Sequence, residues 1–183
     1  MNEERHGASE DSLSRARVGD AAAFTVLVKA HQRSVFSLGL RMLSDWQQAE
    51  DLAQEVFLQL HRNLVSIQSP AHLAFWLRKV TMNRAIDRLR REPPYEAIPL
   101  EEVRMSSGDA SVGDPLLQRR LRDLLARLAP APRAVVVLRY QEDLDPIEIA
   151  RILNMSIHTV KSHLKRSLAT LRERIGEDAG TLT

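Results

Sequence analysis

The sequence predicts an all-α chain of two small helical domains joined by a flexible acidic linker, and three observations lead there. Apolar residues recur at three- and four-residue spacing, and no segment holds a convincing period of two. Cap-and-proline pairs at Ser69-Pro70, Asp114-Pro115 and Asp145-Pro146 mark helix starts, because proline suits the first helical position. Between them, Pro93, Pro94, Pro99, Gly108, Gly113 and the pair Ser106-Ser107 break the pattern, so the stretch 93–114 reads as a linker. A chain of 183 residues, 44% hydrophobic and 27% charged, has the composition of a soluble globular protein with room for one ordinary domain or two small ones.

Residues 1–19 read as a tail with a short helix. Gly19 stops it, Asp20 caps the next, and that helix runs to about Leu43. Asp45 caps a helix whose Trp46, Ala49, Leu52, Ala53, Val56, Phe57 and Leu60 recur at helical spacing. Ser69-Pro70 opens another, through Arg91, which closes a first domain over 20–92. The second domain spans 115–177, with helix starts at Pro115 and Pro130. A third start at Asp145-Pro146 has Glu148 as the reciprocal half of a capping box. Ser156 caps the last helix, Gly176 is expected to end it, and 178–183 form a tail.

Net charge is only +2, but it is unevenly spread. Between Arg78 and Arg91 six bases face Asp87 alone, and between Ile157 and Arg174 five bases face Glu173 alone. Asp45 to Glu55 holds four acids and no base, and Glu92 to Pro115 six acids and only Arg104. Two basic segments separated by acidic ones suggest two contacts with a polyanion and at least one further partner. Cysteine is absent, which excludes disulfide frameworks, thiol nucleophiles and cysteine–zinc sites. No two of the six histidines stand four apart as in a zinc helix, and phosphate loops and serine-nucleophile motifs are missing. Glu50, Asp51 and Glu55 suit a solvated or protein-binding face better than a magnesium site. No catalytic residue, metal or cofactor is expected. With no apolar run of membrane length and no secretory signal, the expected location is the cytoplasm, without membrane insertion.

Residues 145–167 pattern as a short helix, a tight turn at Asn154-Met155-Ser156 and a longer helix. Ala150 is small where the helices cross, and Ile157, Val160, Leu164, Leu171 and Ile175 form the inward stripe. That is a helix-turn-helix, whose second helix enters a major groove. Opposite the stripe, His158, Ser162 and Lys165 are flanked by Lys161 and Arg166, groups that reach base edges or phosphates; the bland alternative is a solvated basic face. In the helix from Pro70, Phe75, Met82, Ile86 and Leu89 make an apolar face and Arg84, Arg88 and Arg91 the opposite one. Trp76, Val80, Asn83 and Asp87 lie between. Arginines beside an exposed aromatic suit single-stranded nucleic acid, although Trp76 also reads as a core residue. Glu50, Asp51, Gln54 and Glu55 make an acidic, amide-rich surface that suits a protein partner.

Ala49-Glu50-Asp51-Leu52-Ala53-Gln54-Glu55-Val56-Phe57, Trp76-Leu77, Asn83, Asp87 and Arg90-Arg91 are followed by Leu138-Arg139-Tyr140, Glu148-Ile149-Ala150, Ile152-Leu153 and Thr159-Val160-Lys161-Ser162. In this order they resemble the bacterial extracytoplasmic-function (ECF) sigma factors over about residues 10–175. The resemblance implies sigma region 2 in the first domain and region 4 in the second. It implies docking of Glu50, Asp51, Gln54 and Glu55 on the β′ clamp helices of core RNA polymerase. It further implies recognition and melting of the minus-ten promoter element by the 61–72 segment and by Trp76, Arg78, Lys79, Asn83, Arg84 and Arg88. The minus-thirty-five element falls to His158, Thr159, Lys161, Ser162, Lys165 and Arg166, with the second domain also packing on the β-flap. The linker resembles the segment that threads toward the RNA exit path, and an anti-sigma factor and a stress response are further implications. His158 and His163 depart from the family's frequent glycine and arginine, Ala129 from a common proline and Asp143 from a common glycine. The rival is a LuxR-type helix-turn-helix regulator, which Thr159 to Leu164 also resembles; that class needs an α/β domain upstream.

Overall fold

A computed structural model describes residues 2–91 and 115–180, with side chains over 10–91 and 120–174. Among the described residues eight α-helices follow one another: α1 (Asn2–Arg17), α2 (Ala21–Leu43), α3 (Trp46–Asn63), α4 (Pro70–Arg91), α5 (Pro115–Ala126), α6 (Pro130–Tyr140), α7 (Pro146–Leu153) and α8 (Ile157–Gly180). A 3₁₀ turn, Leu64–Ser66, precedes α4, and there is no strand among the described residues. The fold class is as the sequence predicts. The linker expected over 93–114 and the cap expected at Asp114 lie outside the described residues.

The helix starts are set by the side chains that the sequence offers. Asp20 accepts hydrogen bonds from the amides of Ala22 and Ala23, and Asp45 from that of Gln48. Such caps satisfy amides that a helix cannot bond internally. Ser69 Oγ accepts from the His72 amide at the head of α4. Gly19 takes φ +96° between α1 and α2, a value that favours glycine.

α2, α3 and α4 form the first core, from Leu27, Val35, Leu38, Met42, Leu52, Val56, Leu60, Leu73, Leu77, Met82 and Ile86. The inward face of α4 is wider than expected: Leu73, Leu77 and Ala85 are buried, whereas Phe75 and Leu89 are half-buried. A Cβ on Gly39 would meet Leu52 Cδ2 at 3.2 Å and Ala49 Cβ at 3.6 Å, so α2 and α3 approach closely at this point. α1 adds Leu13 and Ala16 to the core.

In the second block, the apolar run Ala134 to Leu138 is buried on every side of α6. Helices apolar all round belong in interiors, and α6 packs against α7 and α8 as well as against α2 and α4. α8 differs from its sequence reading twice. Ile157, expected inside, is 41% exposed, and Ser167 is buried instead. The helix also continues through Gly176 to Gly180, since a glycine weakens a helix without obliging it to stop.

The two blocks pack on one another. Gln141 Nε2 donates to Ser37 Oγ at 2.9 Å, and Arg78 Nε to Glu142 at 2.6 Å. The buried Arg133 donates to the carbonyls of Met42, Ala126 and Leu128. Met42 lies in the last turn of α2, where carbonyls lack helical partners, so an arginine of the second block completes a helix end of the first. Burial pushes the Arg133 guanidinium down to about 10.

Candidate nucleic-acid interface

The helix-turn-helix is built by local hydrogen bonds. Asp145 Oδ1 accepts from the amides of Ile147 and Glu148, and Glu148 Oε2 accepts from the Asp145 amide, a complete capping box. Asn154 closes α7 at φ 52°, as expected of a residue that tolerates the left-handed region. The Ala150 carbonyl takes both the Asn154 and Met155 amides, and Ser156 Oγ accepts from the Thr159 amide. Asp143, where the family commonly has glycine, also sits at positive φ, 50°. Ile149, Ala150, Ile152 and Leu153 face inward from α7 against Val160 and Leu171 of α8.

This scaffold leaves His158, Lys161, Lys165 and Arg166 exposed on α8, with Thr159 and Ser162 half-buried beside them. The Thr159 hydroxyl lies 2.8 Å from Ser156 Oγ and is part of the cap. Arg166 Nε donates to the Ser162 carbonyl at 3.4 Å. Among the described residues no carboxylate pairs with these four cations or potential cations. His163, on the flank, has its imidazole held below its ordinary 6.5 by burial and then by Arg166.

The first block brings its predicted residues together differently. Glu50, Asp51, Gln54 and Glu55 are exposed along α3, and Gln47 Nε2 donates to Asp51 at 3.3 Å. Glu55, however, faces α4. Its Oε2 accepts from Arg84 Nη1 at 2.6 Å and its Oε1 from Arg88 Nη2 at 2.7 Å. Two residues expected to hold DNA are thus bonded to one expected to hold a protein. Arg84 Nε also donates to Gln59 Oε1 at 2.9 Å, and Arg88 Nη1 to the Gln48 carbonyl at 3.0 Å. The groove between α3 and α4 encloses about 580 Å³ and is lined by Val80, Asn83, Asp87 and Arg91 as well as this cluster.

Trp76 is half-buried and packs on the core, so the expected free aromatic face is reduced to part of the ring. Lys79 Nζ lies 5.9 Å from the Phe75 ring centroid, a cation–π distance. Arg78 is drawn out of the row of α4 arginines: its partner Glu142 is only 10% exposed, and the pair lies between the blocks. This pairing across 64 residues has no local signal in the sequence, and neither has Gln59 as the amide that orients Arg84. In the 61–72 segment, Ile67 is fully buried and anchors the turn, while Val65 is 75% exposed.

Comparison with known proteins places both blocks in one family. Residues 27–93 match Sigma-70 region 2, and residues 118–171 match Sigma-70, region 4. The chain is 30% identical to the ECF RNA polymerase sigma factor SigW of Bacillus subtilis, across 89% of this chain and 94% of that one. This chain belongs to the ECF sigma factors. It is also 32% identical to the ECF sigma factor SigM of Mycobacterium tuberculosis, across 94% of this chain and 87% of that one. Among solved structures, CnrH in complex with the cytosolic domain of CnrY matches with a TM-score of 0.67 at 20% identity, across 93% of this chain and 99% of that chain. The sigma factor RpoE of Bartonella quintana, in complex with the anti-sigma factor NepR, matches with a TM-score of 0.66 at 20% identity, across 84% and 96%. These two likenesses are of fold. The match of 27–93 to region 2 removes the LuxR-type alternative, whose upstream domain would be α/β. Members of this family are transcription initiation factors and not catalysts in themselves. No helix among the described residues is long and apolar enough to cross a membrane.

Proposed function

We propose that this ECF sigma factor binds core RNA polymerase and directs it to promoters in the cytoplasm, reading one element as duplex and opening another. The observation that carries the reading is the exposed basic face of α8 behind a fully capped turn. Such a helix presents donors to base edges and phosphates without rearrangement. His158, Thr159, Lys161, Ser162, Lys165 and Arg166 take the upstream, minus-thirty-five element. Trp76, Lys79, Asn83, Arg84 and Arg88 take the minus-ten element, where stacking and phosphate contacts hold an unpaired strand. Arg78 joins them only when it leaves Glu142. Glu50, Asp51, Gln54 and Glu55 meet the β′ clamp helices, and the second block meets the β-flap.

Two contacts on one chain bind far more tightly together than apart when their spacing fits the target. In the packed arrangement that spacing is held by Arg133, Arg78 and Gln141 together with the packing of α2 and α4 on α6 and α7, so the free chain is expected to bind promoter DNA weakly. An anti-sigma factor is a further proposed partner, supported by the likeness in fold to RpoE, which is solved in complex with the anti-sigma factor NepR. The test is run-off transcription by purified core polymerase on a genomic library, with and without the chain. New start sites that appear only with the chain are expected. Equal transcription in both arms, with no association in a binding titration, overturns the reading.

A further inference from the structure

We propose that the α3–α4 groove is a phosphate site kept closed by Glu55, whose carboxylate occupies Arg84 and Arg88 in the free chain and yields them to a backbone phosphate of single-stranded DNA when α3 engages the polymerase. The inference rests on the function proposed above and specifies how its two contacts are linked.

The geometry is that of a substituted ligand. Each Glu55 oxygen takes one guanidinium, at 2.6 and 2.7 Å, as two phosphate oxygens would. Neither arginine depends on Glu55 for its place: Gln59 holds Arg84 and the Gln48 carbonyl holds Arg88. Removing the carboxylate therefore leaves two positioned donors with a net charge of two, in a groove that Asn83 and Arg91 also line. Asp87, the other acid lining the groove, lies 3.9 Å from Arg90. Glu55 is also about half exposed, one turn beyond Asp51 on the face expected to dock, so a basic partner reaches the same carboxylate from outside. A group shared by two ligands couples them, and the coupling is reciprocal: polymerase bound at Glu55 tightens strand binding, and a bound strand tightens polymerase by the same factor.

The test uses the full chain and a fluorescent mixed-sequence single-stranded oligonucleotide, titrated by anisotropy across a salt series. Glu55→Gln is expected to tighten binding roughly fivefold and to steepen the salt dependence by about one to one and a half counterions, as two freed phosphate contacts require. Glu10→Gln, with the same change in net charge on the exposed surface of α1 and outside both proposed contacts, is expected to stay within about twofold of the parent. Adding Arg84→Ala and Arg88→Ala to Glu55→Gln is expected to remove the gain. An unchanged affinity, an equal gain from Glu10→Gln, or a gain that survives loss of both arginines overturns the proposal. Each can occur while core polymerase still binds and initiates with the parent chain, so failure here is distinct from failure of the functional reading.

Discussion

On α8, His158, Lys161, Lys165 and Arg166 stand in solvent; on α4, Arg78, Arg84 and Arg88 each end on a carboxylate. Both helices carry the row of bases that the sequence displays, yet on α4 three of them are taken by acids of other elements. The difference follows from position. α8 packs against α6 and α7, whereas α4 packs against α1, α2, α3, α6 and α7 and meets Glu55 of α3 and Glu142 of the turn after α6. A row of bases in a sequence is therefore a statement about composition, and its availability depends on what the fold lays beside it. On the proposed function, the duplex-reading face is ready from the start, and the strand-holding face waits for a partner.

The strongest way to break the comparison is to separate the blocks. Arg133→Ala leaves the carbonyls of Met42, Ala126 and Leu128 without their donor and opens a void, and is expected to cost about 3 kcal/mol in urea unfolding. Loss of less than about 1 kcal/mol would mean that water replaces the guanidinium freely. Trp76→Ala comes next. With the ring half in the core, it is expected to cost about 2 kcal/mol of stability, and to reduce promoter opening more than polymerase assembly. Permanganate footprints of the melted region, compared with a gel-shift of the holoenzyme, read the two separately. Lys161→Ala with Lys165→Ala sharpens the contrast on the other side. Removing two uncompensated cations should weaken duplex binding about tenfold and lower the salt slope by about two.

The smallest effect is on pH. His31 in α2 and His163 in α8 are both held below the ordinary value of 6.5, each chiefly by burial, with Arg78 and Arg166 adding repulsion. The unfolded chain then takes up protons first. Stability is complete above about pH 6.5 and declines as pH falls toward the folded values, and the urea midpoint should fall with it. His31→Gln is expected to flatten that decline, and an unchanged slope would show that His31 is not its source.

Most of the helical framework was legible because its signals are local. Asp20, Asp45, Ser69, Asp145, Ser156 and Asn154 act on amides or carbonyls within a few residues, so their roles are written beside them. The exposed basic face of α8 was legible for the same reason, apart from Ile157, which helical periodicity places inside. The first-block site was legible only as a set of residue types. Nothing in the spacing of Glu55 and Arg88, 33 apart, or of Arg78 and Glu142, 64 apart, sets which charges meet. Trp76 and Leu73 show the same limit for apolar residues: helical periodicity assigns a face, and the width of the buried part of that face is set by the helices laid against it.

The turn between α7 and α8 has one more consequence. Its capping box, its paired amides on the Ala150 carbonyl and its serine cap all join groups no more than five residues apart. Closures of that length take well under a microsecond, and helical turns propagate in nanoseconds. The hairpin that presents α8 thus takes its shape early, while the chain is still searching for the pairings of Arg133 and Arg78 that tie distant helices together.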